Sequence, residues 1–218
     1  MRPGLAMVRY GAARQQLYQE RGSDMYGSTL AQLNEAHFHR VLLRFDEDLA
    51  REVRQRRCPD CGGALHAAPY PRKPRGTAVP LSPEYCVRLS FGCAVEGCRH
   101  RATPPSLRFL GPKVYWATVV VLISAMRCGT TPTRVQLLKE LVGVSRQTVL
   151  RWTVWWQQVL PQSPFWRVAC GTFRSCMGLG ELPQSLLDQF AGNVDEKLLA
   201  LLRFLAPLTG GRRSVAPM

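Results

Sequence analysis

Two cysteine pairs, Cys58-Pro-Asp-Cys61 and Cys93-Ala-Val-Glu-Gly-Cys98, stand on either side of a basic, proline-rich stretch, and they limit what this chain can fold into more than any other feature. Four thiolates supplied as two close pairs can surround a tetrahedral zinc ion at about 2.3 Å each, provided that each pair sits on a tight turn. Pro59 and the Gly62-Gly63 doublet supply such a turn at the first pair, and Gly97 does so beside Cys98. A redox dithiol is the competing use of Cys-x-x-Cys, but that motif opens a helix, and Gly62-Gly63 is a poor helix start. Disulfides need an oxidising compartment, to which nothing in the sequence points. The expected ligands of a structural Zn2+ are therefore Cys58, Cys61, Cys93 and Cys98. Cys86, His66 and His100 are candidate substitutes. Cys86 falls in the strand-like Tyr85 to Phe91 and is expected in a core, whereas the two histidines are expected to be solvated or to face phosphate. Cys128, Cys170 and Cys176 lack paired spacing and receive no metal role.

Charge narrows the partner. The 218 residues carry 29 Lys plus Arg against 15 Asp plus Glu, a net charge of +14. Such an excess favours a polyanion, because each phosphate neutralised by a cation releases counterions. An anionic membrane surface ranks lower, since the cations gather around the cysteine pairs and a helix-turn-helix pattern and not along an amphipathic helix. Met1 to Tyr10 holds no apolar core, so no secretory signal is expected. The longest apolar run, Val114 to Met126, has 13 residues, short of the roughly 20 that cross a bilayer. The sequence therefore predicts a cytoplasmic protein with no membrane partner.

The expected fold is mainly α with a small β zinc ribbon, in four regions: 1–57, an arm and a long helix; 58–105, the ribbon; 106–160, a helix-turn-helix unit; and 161–218, a helical extension and tail. The long helix starts at Ser28 with a stripe of Leu30, Leu33, His37, Val41, Phe45, Leu49 and Val53, and ends in arginines that suit the helix dipole. Between the cysteine pairs, prolines forbid helix and discourage central strand, so Arg72, Lys73 and Arg75 are expected on an exposed loop, either a solvated tip or a contact to phosphate. In the third region helices are expected over Pro112 to Arg127, from Thr131 through Leu141, and from a Ser145 cap with an apolar face of Val149, Trp152 and Trp156. Gly143 turns the chain between the last two, which is the helix-turn-helix arrangement. The third helix then presents Ser145, Arg146, Gln147, Leu150 and Arg151, with Arg146 suited to a guanine edge and Gln147 to adenine. Arg151, Lys113 and Arg134 are assigned to phosphate. Eleven Lys or Arg stand against one acid, Glu140, between Gly97 and Gly180. Past Leu160, Pro161 and Pro164 are expected to break the helix, with irregular chain over Phe165 to Gly180 and short helices over Leu182 to Phe190 and Glu196 to Leu205.

Cys58-Pro-Asp-Cys61-Gly62, Cys93 to Cys98, and Gly143-Val-Ser-Arg-Gln-Thr-Val-Leu-Arg-Trp152 together resemble the DNA-binding front half of bacterial insertion-sequence transposases and of short mobile-element proteins. The resemblance covers under half of the chain and implies double-stranded DNA as partner, a nucleoid-associated bacterial protein, and a separate catalytic transposase. Two-metal strand transfer needs three acids on a sheet-based scaffold. After the third helix only Glu181, Asp188, Asp195 and Glu196 follow, with no strand pattern, so no nuclease domain and no enzyme activity are expected. A zinc-ribbon protein that binds RNA or attends RNA polymerase is the alternative. An enzyme using Asp46, Glu47 and Asp48, or the terminal acids Glu181, Asp188, Asp195 and Glu196, is a third reading, opposed by the way adjacent acids on a helix point apart. The leucines of the last helix are expected to pack on the body or to form a homodimer.

Overall fold

The computed structural model describes residues 36–76, 81–110, 115–125, 143–173 and 179–211, and within them the protein is mainly helical with two small antiparallel sheets. Helix α1, Ala36–Gln55, is amphipathic. Its innermost line is not the expected Val41, Phe45 and Leu49, which are half-buried, but His39, Leu42, Asp46, Ala50 and Val53, spaced by threes and fours along one face. A carboxylate, not an aliphatic side chain, occupies the middle of that face.

Strands β1, Leu65–Ala67, and β2, Tyr70–Pro71, follow the first cysteine pair. The single strand expected over Tyr85 to Phe91 is broken: Pro83–Cys86 forms a 3-10 turn, β3 is Val87–Arg88, and β4 is Phe91–Cys93. With β5, Arg101–Ala102, the order is β1-β4-β5 in one sheet and β2-β3 in the other. Pro71 is tolerated because β2 has a partner on one side only. The register sets Leu65 opposite Cys93, which carries the second cysteine pair back to the first.

Helix α2, Ala117–Ala125, starts five residues later than the sequence suggests. Tyr115 and Trp116 are held extended, with the Trp116 N–H donating to Arg75 O at 3.1 Å and Phe109 bridging to Trp116. The helix is buried on nearly every side, as a sequence apolar at all but Thr118 and Ser124 requires. Helix α3, Arg146–Val154, begins at the expected Ser145 cap, whose Oγ accepts from Thr148 N–H at 3.3 Å. Val149 is half-buried while Trp152 and Trp156 are buried. The arm 1–27, the helix expected from Thr131 through Leu141, Lys113 and Arg134 lie outside the described residues.

Beyond Val154 the chain makes a π turn, Trp155–Val159, with Leu160 N–H bonded to Trp155 O. Pro161 has no N–H for Gln157 and its ring would press on that carbonyl; the wider turn accommodates both defects. Pro161 and Pro164 then sit in the first turns of α4, Leu160–Gln162, and α5, Pro164–Ala169. At Pro164, just behind the extended Ser163 cap, proline loses no helical hydrogen bond, so the segment expected to be irregular starts as helix. Helices α6, Gln184–Leu187, and α7, Val194–Leu205, complete the described elements, α7 opening with a capping box of Asn193 and Glu196. Leu198, Leu201, Leu202 and Leu205 of α7 pack on the body of the same chain.

One large core runs from Leu42 through α2, Trp152 and Trp156 to Leu205. A smaller one holds Ala50, Val53, Cys58, Leu65, Phe91 and Ala102. Helix α1 contributes to both, and so fixes the cysteine-bearing module to the helical body. A buried ion pair reinforces the join. Asp46, 1% exposed, accepts from Arg108 Nε at 2.8 Å, from Leu107 N–H at 2.6 Å and from the Ser106 hydroxyl. Arg108 donates onward to Tyr85 O at 2.6 Å and Val87 O at 3.0 Å. At the far end of the chain, Thr209 Oγ1 accepts from Ser106 N–H at 2.6 Å, and Thr209 O accepts from Arg88 Nη2 at 2.9 Å. Burial pushes the Arg88 guanidinium below its ordinary pKa, while Asp46 opposes that shift.

Candidate metal centre and basic surface

The four cysteines expected as ligands come together, with their sulfurs all within 4.8 Å of one another. Cys58 Sγ lies 3.7 Å from Cys98 Sγ, and Cys61 Sγ lies 3.4 Å from Cys93 Sγ. The local backbone makes this convergence. Gly62 N–H donates to Cys58 O at 2.8 Å and Cys58 N–H to Gly63 O at 2.9 Å, closing a turn in which Gly62 takes a left-handed φ of 70°. The second turn closes with Cys98 N–H on Val95 O at 3.2 Å. Gly63 leaves space for the sulfurs: a Cβ there would stand 3.2 Å from both Cys61 Sγ and Cys93 Sγ and 2.4 Å from Val95 Cγ2.

Val95 N–H donates to Cys93 Sγ at 3.4 Å, and the main-chain amides of Cys61 and Asp60 beside Cys58, of Gly63 beside Cys61 and of His100 beside Cys98 act on those sulfurs in the same direction. Amides aimed at sulfur favour thiolate over thiol. Burial raises the Cys58 pKa, but these amides and its neighbouring thiols outweigh it and bring the value to about 7. The other three thiols are held above their ordinary value; at each the amide lowers the pKa, and neighbouring thiols together with burial more than reverse it. Four thiols that cannot all ionise together without a cation behave in this way. The cluster is thus positioned to bind a metal ion.

Neither candidate histidine substitutes for a cysteine. His66 is exposed on β1. His100, expected to be solvated or to face phosphate, instead has Nδ1 2.7 Å from Asp60 Oδ2 with its side chain only 12% exposed. That contact ties the turn of the first pair to the residue just beyond the second, a link between cysteine turns that sequence spacing does not reveal. Cys86 is half-buried against the large core, as expected.

The side chains assigned to nucleic acid divide by exposure. Ser145, Arg146, Gln147, Leu150 and Arg151 are all exposed at the start and on the outer face of α3, although the Ser145 hydroxyl is engaged in capping. Lys73 and Arg75 are exposed as well. Arg72 is half-buried with its guanidinium 5.7 Å from the Phe109 ring centroid, the same ring approached by Arg88 and Arg108 at 6.0 and 5.0 Å. The stretch is therefore no free tip. Arg72 N–H bonds to Cys86 O at 2.7 Å, and Arg75 bridges to Tyr115. Three of the acids considered for catalysis have structural roles: Asp46 is enclosed by its three donors, Asp48 pairs with Arg51 at 2.8 Å, and Glu196 caps α7. Among the described residues no helix is long and apolar enough to cross a membrane. Compared with family models, curated proteins and solved structures, the chain matches none of them.

Proposed function

We propose that this chain is a zinc-stabilised, sequence-specific DNA-binding protein of the kind that serves mobile elements, in which α3 reads base edges and cleavage belongs to a separate catalytic partner. The observation that carries the reading is the division of α3: Trp152 is buried in the core while Arg146, Gln147, Leu150 and Arg151 face outward from a capped helix. Arginine and glutamine offer paired hydrogen bonds to guanine and adenine edges, and Leu150 offers apolar contact to a thymine methyl. The +14 charge supplies non-specific attraction. Zinc suits the four cysteines, because bonds of about 2.3 Å at tetrahedral angles separate sulfurs by about 3.8 Å. The sulfur pairs at 3.4 and 3.7 Å are close to that edge length.

Selection from a random-sequence duplex pool tests the reading. The zinc-loaded protein is expected to enrich a motif, and Arg146→Ala to relax one position of it by about 1 to 3 kcal/mol of discrimination. Salt-sensitive binding without enrichment would remove α3 as a reader and favour the RNA-binding or polymerase-associated alternative.

A further inference from the structure

The loop between the cysteine pairs and the start of α3 are 70 residues apart in sequence, from Lys73 to Gly143, yet both are fastened to one residue. Arg75 bridges to Tyr115, and Arg75 O accepts from the next residue, Trp116, at 3.1 Å. The Tyr115 hydroxyl in turn donates to Gly143 O at 3.0 Å, two residues before the Ser145 cap. Its ring meets Trp152 of α3 edge-on, with centroids 5.1 Å apart. Gly76 seals the loop against α2: its φ is +105°, and a Cβ there would lie 2.9 Å from both methyl carbons of Val119. Lys73 and Arg75 are therefore joined through Tyr115 and Trp116 to the start of the helix that carries Arg146, Gln147 and Arg151, and all five side chains are exposed. Electrostatics runs the same way on both sides of the join. No acid occurs between Asp60 and Glu84, and Glu140 is the single one between Gly97 and Gly180.

We propose that these two segments form one composite duplex-DNA surface, with the metal module's loop holding the phosphate backbone beside the groove that α3 enters, and with Tyr115 as the positioning residue that fixes the angle between them. The proposal rests on the DNA-binding reading and adds to it a second contact region and the residue that couples the two. The loop contributes register and salt-dependent affinity, because phosphate contacts position a protein without reading sequence. Tyr115 contributes discrimination, because it sets where the Gly143 turn delivers the first residues of α3. Arg75 reaches Trp116 through its backbone carbonyl, so Arg75→Ala keeps the attachment and removes only the cation.

The experiment measures binding of the full chain to a random-sequence duplex of about 30 base pairs, three helical turns, across a salt series. It is paired with hydroxyl-radical footprints on a duplex enriched in the pool selection. Removing Lys73 and Arg75 together by alanine substitution should reduce the slope of log K against log salt by about 1 to 2 and erase protection on one flank only. Removing Arg146 and Arg151 should reduce the slope similarly and erase protection in the central part. Tyr115→Phe should leave the slope unchanged, since every charge remains, while narrowing the affinity gap between enriched and random duplexes about tenfold. If the Lys73 and Arg75 variant keeps the wild-type slope and footprint while the α3 variant loses both, the composite surface is overturned and the DNA-binding reading survives. If the wild-type protein shows no salt-dependent duplex binding, both fall. A matched melting temperature for each variant establishes that folding is intact.

Discussion

Cys58→Ser is expected to strip the protein of its metal and to unfold the cysteine turns with the β1-β4-β5 sheet while leaving the large helical core in place. The small core that supports this module has six buried residues among those described, one of which is Cys58 itself. Apolar burial on that scale does not offset the chain entropy of the two cysteine turns and the sheet between them, and modules this small ordinarily depend on a metal or a disulfide. Structural zinc supplies roughly 10 to 16 kcal/mol in small folded peptides, ample to make the difference. Elemental analysis of the purified protein should give about one zinc per chain, and the Cys58→Ser variant close to none. Hydrogen exchange should then show β1, β4 and β5 losing protection, with α2 and α7 retaining theirs. Metal-free wild-type protein with unchanged melting behaviour would refute the assignment.

The second large effect concerns Asp46. Asn at this position keeps the shape but leaves Arg108, 0% exposed, as a buried cation without its counter-ion. Breaking a buried pair by removing one partner costs about 3 to 5 kcal/mol, which in a chain of this length lowers the melting temperature by roughly 10 °C. The neighbouring Asp48 pairs with Arg51 in the open, both side chains more than half exposed, and Asp48→Asn should change stability by no more than about 0.5 kcal/mol. Urea denaturation of the two variants side by side checks the contrast. Equal stabilities would mean that the interior pair contributes no more than a surface one.

The metal cluster and the capped start of α3 were legible because local chemistry determines both. Cysteine spacing with adjacent glycines forces a turn, and serine before an apolar-periodic run forces a cap. The face of α1 was not legible. Periodicity assigns the interior to aliphatic side chains, so a stripe of Val41, Phe45 and Leu49 looks sound until Arg108, more than sixty residues away, draws Asp46 inward. The interruption at Pro83 and the late start of α2 share that cause. Tyr115 and Trp116 have helix-compatible sequence, yet Arg75 from a distant loop supplies a better partner for the Trp116 N–H than the helix would. Long-range hydrogen bonds reassign residues whose local preference is weak, and no window of neighbouring residues contains that information. Proline misled in the opposite direction at Pro164, where its missing donor falls at a helix start that needs none.

The contact of Thr209 with Ser106 and Arg88 gives the chain a direction in time. The cysteine turns meet across 40 positions, whereas these contacts span 103 and 121. A ribosome releases the metal module long before it releases Thr209, so the module can load its ion on a nascent chain whose Arg88 still lacks the Thr209 carbonyl. A fragment ending at Leu205 should therefore bind metal with unaltered stoichiometry and yet melt at a lower temperature than the full chain. The segment around Thr209 is made well after the metal module and latches onto it afterwards, so acquisition of the ion does not wait on that contact.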